Sequence, residues 1–281
     1  MSKLSTSSRS PSQHRQVVAS AEDQSSPQIT KRKRSTDDNF ESTPLRPIKL
    51  KKAKKAKRVE DDNLDLEHGL NLAIGKLDSR LQADYVAQRT KRFSSELSLV
   101  ELEDRHVPAK AFRDTSDWDR TRMLKNLPEF LEHYSSRGAD HKFLSSSLEQ
   151  AGSPHTIVVT SAGLRAADIA RVLRKFQTKE SVVAKLFAKH IKLKDAIEYV
   201  RRTRICIGVG TPSRIIDLFN AGALTSSNLE RIVIDASHFD QKKRGIFDMR
   251  ETQEPLVQLL NRMELKSRYS SDTGAIQILL Y

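Results

Sequence analysis

Cysteine is almost missing from this chain: Cys206 is the single thiol in 281 residues, which excludes an internal disulfide and fits a reducing compartment. It lies in an apolar run, where a free thiol behaves as a small hydrophobe. Long apolar runs are missing too. None approaches the ~20 residues needed to cross a bilayer, and the N-terminus has no apolar leader core, so the expectation is a soluble intracellular protein with no membrane partner. No G-x-x-x-x-G-K-[ST] occurs, so the chain lacks both the glycine loop that wraps triphosphate in backbone donors and its lysine. His190 and His238 are isolated from the Cys, His and Asp clusters that a metal needs, and no Ser, His and Asp have a nucleophile-elbow setting. No cofactor, metal or small-molecule substrate is expected.

What is present is positive charge, unevenly placed. Residues 1–60 hold 15 Lys and Arg against 6 Asp and Glu, nine of the net thirteen positive charges. They are rich in Ser, Pro, Gln and Lys and poor in large apolar side chains, so ordering them would bury too little surface to offset the lost chain entropy. Residues 1–62 read as a disordered basic tail. Within it, Lys31, Arg32, Lys33 and Arg34 form one cluster, and Lys51, Lys52, Lys54, Lys55, Lys57 and Arg58 a second. Two such clusters across a short polar spacer predict a bipartite nuclear localisation signal, and the same charges attract nucleic-acid phosphate. Thr43-Pro44 lies between them as a candidate kinase site whose phosphate would weaken their field.

Residues 63–118 read as a helical and extended arm. Leu70, Ile74, Leu77, Leu81 and Tyr85 recur at helical spacing, which predicts a helix from about Leu66 to about Leu97. The stretch Val107-Pro108 to Trp118 reads as irregular, with Phe112 and Trp118 as anchors against either the chain's own core or a partner. Over 119–281 the pattern becomes α/β. Helices are expected over 120–124, 128–134, 142–149, 166–176, 192–202, 213–220 and 256–265, and strands over 154–160, 182–187, 205–209, 232–234 and 275–280. The clearest unit is RICIGVGTPSRIIDLFNAGALTSSNLERIVIDASH, Arg204 to His238. It reads as strand, helix and parallel strand, with Pro212 in the first helical turn and Gly222 just past the helix end.

At these residues the chain resembles the first RecA-like domain of the DEAD-box RNA helicases. Gly210-Thr211-Pro212-Ser213-Arg214 matches their Gly-Thr-Pro-Gly-Arg motif with one replacement, and Asp235-Ala236-Ser237-His238 stands in the place of Asp-Glu-Ala-Asp. The resemblance implies a single RecA-like parallel sheet with flanking helices. It also implies a lost activity, because Ala236 replaces the Glu that positions the attacking water. The chain ends after the strand that would lead into the Ser-Ala-Thr motif and a second lobe. By the same resemblance Thr160 and Arg165 fall near positions that grip nucleic-acid backbone, and Lys189 and Lys192 stand where a Gly-Gly turn would touch RNA. With Arg201, Arg202, Thr211 and Arg214 they make a candidate surface for RNA or a protein partner.

The succession of basic tail, Leu97-to-Asn126 stretch and degenerate lobe further resembles the Cms-one family of small-subunit pre-ribosome proteins. That likeness implies a non-catalytic role in the early, U-three-associated small-subunit precursor, nucleolar location, and partners among its proteins and RNA. The alternatives carried with it are a residual nucleotide-binding or NTPase protein and a DNA-associated nuclear factor.

Overall fold

The computed structural model describes residues 63–135, 141–188 and 191–281; the two basic clusters and Lys189 lie outside them. Five strands, β3 (Thr156–Val159), β4 (Val182–Leu186), β5 (Ile205–Gly210), β6 (Arg231–Ile234) and β7 (Gln277–Leu280), form one sheet in the order β4-β5-β3-β6-β7, parallel throughout. Burial explains their composition. A parallel sheet is covered on both faces, so its strands read as apolar runs rather than alternations, and all residues of β3, β5 and β6 are buried.

One face carries Ile157, Val159, Leu186, Ile234 and Leu280. It is covered by α1 (Ser79–Phe93), α6 (Leu193–Arg202), α7 (Pro212–Asn220) and α8 (Arg250–Leu260). The other face carries Val158, Val183, Cys206, Val209 and Leu279, under α3 (Leu127–His133) and α5 (Gly163–Leu173). The α/β class is therefore as the sequence indicated. So are the ends of α7. Thr211 is its N-cap and Pro212 opens it. At its far end Gly222 adopts φ 60°, while Gly222 N–H donates to the Phe219 carbonyl at 2.9 Å and Ala223 N–H to that of Leu218 at 3.0 Å, a Schellman termination.

The arm differs from its sequence reading. Helix α1 begins at Ser79, where the Asp78 carboxylate accepts from Leu81 N–H at 2.8 Å; upstream is a small ladder of β1 (Leu64–Asp65) and β2 (Leu70–Asn71). The new start changes the helix's phase. Leu81, counted in the apolar stripe, is 48% exposed, and the buried positions are Gln82, Ala83, Val86 and Thr90. A capped α2 (Leu99–Asp104) follows. The arm also belongs to the core, since Ile74, Ala83, Val86, Val107, Ala111 and Phe112 share one apolar cluster with the sheet. Phe112 bridges Ile278 in parallel fashion, and Arg113 N–H donates to the Ile278 carbonyl at 2.8 Å, which covers the outer edge of β7.

Further corrections are local. Residues 120–124 are not helical, and only Leu124–Asn126 makes a 3₁₀ turn before α3. The helix expected over 142–149 is the short α4 (His141–Leu144). The helix placed after Pro255 starts at Arg250, carries Pro255 inside it, and is followed by a separate α9 (Met263–Lys266).

Candidate functional site: the carboxyl end of the sheet

In an open parallel sheet, ligands favour the crevice at the carboxyl ends of the strands where the connections change direction. Here β3 feeds β4 on one side and β6 feeds β7 on the other, so the switch lies between β3 and β6. Their ends deliver Thr160 and Asp235. Asp235 is 3% exposed and hydrogen-bonded through both oxygens. Its Oδ2 accepts from Thr160 Oγ1 at 2.7 Å and Arg165 Nε at 2.9 Å, and its Oδ1 accepts from Arg165 Nη2 at 3.0 Å. Arg165 comes from the first turn of α5 and folds back over the strand ends.

Burial would raise the Asp235 carboxyl, but the Arg165 charge and hydrogen bonds, with the Thr160 hydroxyl, outweigh it and hold its pKa below the usual carboxylate value. The same pairing holds the buried Arg165 guanidinium above its ordinary value. Both carboxylate oxygens are thus tied to the protein's own donors, Oδ2 by two hydrogen bonds and Oδ1 by one. Thr160, expected at a nucleic-acid surface, is instead fully buried as a donor to Asp235.

The rest of the Asp235-to-His238 motif is roofed by the arm. Asn71 N–H donates to the Ser237 carbonyl at 2.7 Å, Phe239 N–H to that of Gly69 at 2.9 Å, and Leu70 bridges His238. Ala236 and Ser237 N–H both donate to the Tyr281 carbonyl at 2.7 Å. Burial lowers the pKa of His238. Among the described residues, Ser237 Oγ and His238 Nδ1 are buried without a hydrogen-bond partner.

Arg122 closes the end of β7. Its Nη1 donates to the Leu280 carbonyl, and its Nη2 to the Thr115 carbonyl at 2.9 Å and Thr115 Oγ1 at 3.1 Å. Burial draws the Arg122 pKa down to about 10, which leaves it charged at neutral pH. Phe130 packs 5.3 Å from that guanidinium carbon and 4.7 Å from the Tyr281 ring, and Tyr281 OH donates to the Met123 carbonyl at 2.6 Å. Trp118 stands edge to face with Phe130 at 5.4 Å. The space left here, lined by Leu72, Lys76, Trp118, Arg120, Arg122 and Ser237, is 220 Å³, below the roughly 300–1,000 Å³ of small-molecule pockets.

The remaining sequence candidates lie on α6 and α7. Lys192 is the exposed N-cap of α6. Arg201 is exposed and donates to the Ala221 carbonyl at 2.8 Å, and Arg202 pairs with Glu198. Arg214 is 8% exposed and gives both Nη groups to the Ile191 carbonyl at 3.1 Å. Thr211 caps α7 with its backbone and donates its N–H to the Leu186 carbonyl at 3.2 Å. The structure thus joins Thr160, Arg165 and Asp235 in one cluster and uses Thr211 and Arg214 to tie loops. Sequence reasoning missed Arg122 and Tyr281, whose one visible signal was a tyrosine directly after an apolar strand. It also missed Arg231, which is 2% exposed and holds Thr156, Leu131 and Tyr134. Among the described residues no group of three or more His, Cys, Asp or Glu could hold a metal, and no helix is long and apolar enough to cross a membrane.

Comparison with known proteins carries the same outline. Protein CMS1 of Chaetomium thermophilum is 48% identical over 252 residues, 90% of this chain and 97% of that protein. Protein cms1 of Schizosaccharomyces pombe is 30% identical over 178 residues, covering 63% of this chain and 61% of its own length. Human Protein CMSS1 is 29% identical over 168 residues, 60% of this chain and 57% of that protein. A sequence model of the family described as "CMS1: U3-containing 90S pre-ribosomal complex subunit" matches residues 15–281. By this nearly full-length match, the chain belongs to the CMS1 family.

Proposed function

We propose that this protein is a ribosome-biogenesis factor that acts without catalysis, as a binding scaffold in the early small-subunit precursor, the U3-associated 90S particle. The family supplies the particle. The observation that carries the scaffold reading is the occupied switch point: Asp235 takes three hydrogen bonds from Thr160 and Arg165, and Arg122, Phe130 and Tyr281 fill the neighbouring strand end. Phosphoryl transfer works by placing charge around a triphosphate and its metal. A crevice with its acid locked to an internal arginine offers no such placement. The lobe therefore reads as a degenerate helicase domain kept for its surfaces.

Those surfaces meet proteins and RNA of the precursor. Lys192, Arg201 and Arg202 remain exposed for phosphate, and Lys189 belongs with them by sequence. The clusters Lys31–Arg34 and Lys51–Arg58 serve nuclear entry, and the site of action is the nucleolus. Tagged protein recovered from gently lysed nuclei at moderate salt should carry small-subunit precursor rRNA and U3 RNA. Recovery alone, or with chromatin and no precursor rRNA, would contradict the proposal.

A further inference from the structure

At the opposite edge of the sheet, β4 is bonded among the described residues on one side alone, to β5. Val182 N–H donates to the Arg204 carbonyl at 3.0 Å, and the Leu186 carbonyl accepts from Thr211 N–H at 3.2 Å, so both residues face inward. The period of two then turns the N–H and C=O of Val183 and Lys185 outward. This open edge lies at the bottom of a groove of 590 Å³ between α5 and α6. The turn after α5 supplies Arg174 to one wall; α6 supplies Asp195, Ala196 and Tyr199 to the other. Tyr199 is 42% exposed. Neither Arg174 nor Lys185 forms an ion pair among the described residues, although Lys175 and Arg171 beside Arg174 both do.

We propose that this groove receives an extended segment of a partner protein that adds a sixth strand to the sheet along β4. The chemistry of the segment follows from the two walls. Val183 and Lys185 point to the face covered by α5, with Arg174, and Ala184 and Leu186 point to the face covered by α6. An added strand alternates its side chains in the same way. Its residues on the α5 side meet two unpaired cations and are acidic. Those on the α6 side meet Ala196, the Tyr199 ring and Asp195, whose charge excludes an acid there, and are apolar. A second copy of this chain is the wrong occupant, because edge-to-edge pairing would bring Lys185 and Arg174 of both copies together, and like charges across a strand pair are destabilising. The assignment stands apart from the RNA-binding part of the scaffold reading.

The test uses the full chain and a synthetic peptide with blocked ends that alternates Asp or Glu with Val or Ile. Its controls are a peptide of the same composition with acids and apolar residues in separate blocks, and the alternating peptide with methylated backbone nitrogens. Saturating peptide should protect the Val183 and Lys185 amides from hydrogen exchange, and neither control should do so. Lys185→Pro removes an outward N–H that no ladder bond uses, so the fold keeps its melting temperature while affinity falls about tenfold or more. Lys185→Glu should weaken binding and leave the backbone donor intact. The proposal is overturned if the block peptide binds as well, if Lys185→Pro binds normally, or if no alternating peptide binds. It is equally overturned if single-stranded RNA takes the same edge in competition, or if the chain dimerises through it.

Discussion

The carboxyl end between β3 and β6 and the outer edge of β4 belong to one sheet and treat charge in opposite ways. At the first, Asp235 and Arg165 are buried against each other, with side chains 2% and 14% exposed. At the second, Arg174 and Lys185 are exposed and unpaired among the described residues. The first place is where a fold of this kind would bind a ligand, and it has become part of the core. The second is where a sheet ends, and it keeps its hydrogen-bonding groups available. The two places are built from different strands, so a change at one leaves the other's strands in place.

Substitution should separate the two regions by size of effect. Asp235→Ala leaves the Arg165 charge buried and unpaired, and should cost about 3–5 kcal/mol in urea unfolding. The pair Arg165→Met with Asp235→Leu should recover most of that, since two apolar side chains remove both charges together. An equal loss in the double variant would mean that Asp235 matters through something other than this pair.

Next in size is Gly210→Ala. A Cβ there would stand 2.0 Å from the Leu186 carbonyl oxygen, so β4 must move away from β5; about 1–3 kcal/mol should be lost. The same variant should weaken peptide capture at the β4 edge.

Acid gives a smaller, graded contrast. The folded Asp235 pKa lies below its unfolded value, so its contribution is complete above the unfolded carboxylate range and drains away as pH falls through the folded value. Urea midpoints followed from about pH 6 to about pH 3 should fall more steeply for the natural protein than for the double variant. Parallel curves would remove Asp235 from the account of acid sensitivity. The smallest effect belongs to Lys185→Glu, which should change stability by no more than about 0.5 kcal/mol.

Much of the fold was readable because local and global preferences agree along it. Pro212 and Gly222 mark the ends of α7, the apolar runs mark β3 to β7, and Asp235 follows the last apolar residue of β6. The arm was harder. Leu70, Ile74, Leu77 and Leu81 share a helical period, yet the Asp78 cap restarts the helix, and Leu70 and Ile74 are buried from non-α-helical backbone. Periodicity carries no record of such a break.

The site was legible by position and not by partner. Asp235 could be placed at a strand end, but its bond to Arg165 spans 70 residues and that of Arg122 to Leu280 spans 158. Such pairings depend on the closed fold, and no spacing rule contains them.

The crevice between β3 and β6 is closed by the protein's own side chains. Thermal unfolding of the full chain with and without millimolar Mg-ATP probes that closure, because a ligand of the folded state raises the melting temperature. The melting temperature should be unchanged. A saturable rise with Mg-ATP that disappears in Asp235→Asn would contradict it and restore nucleotide to the site.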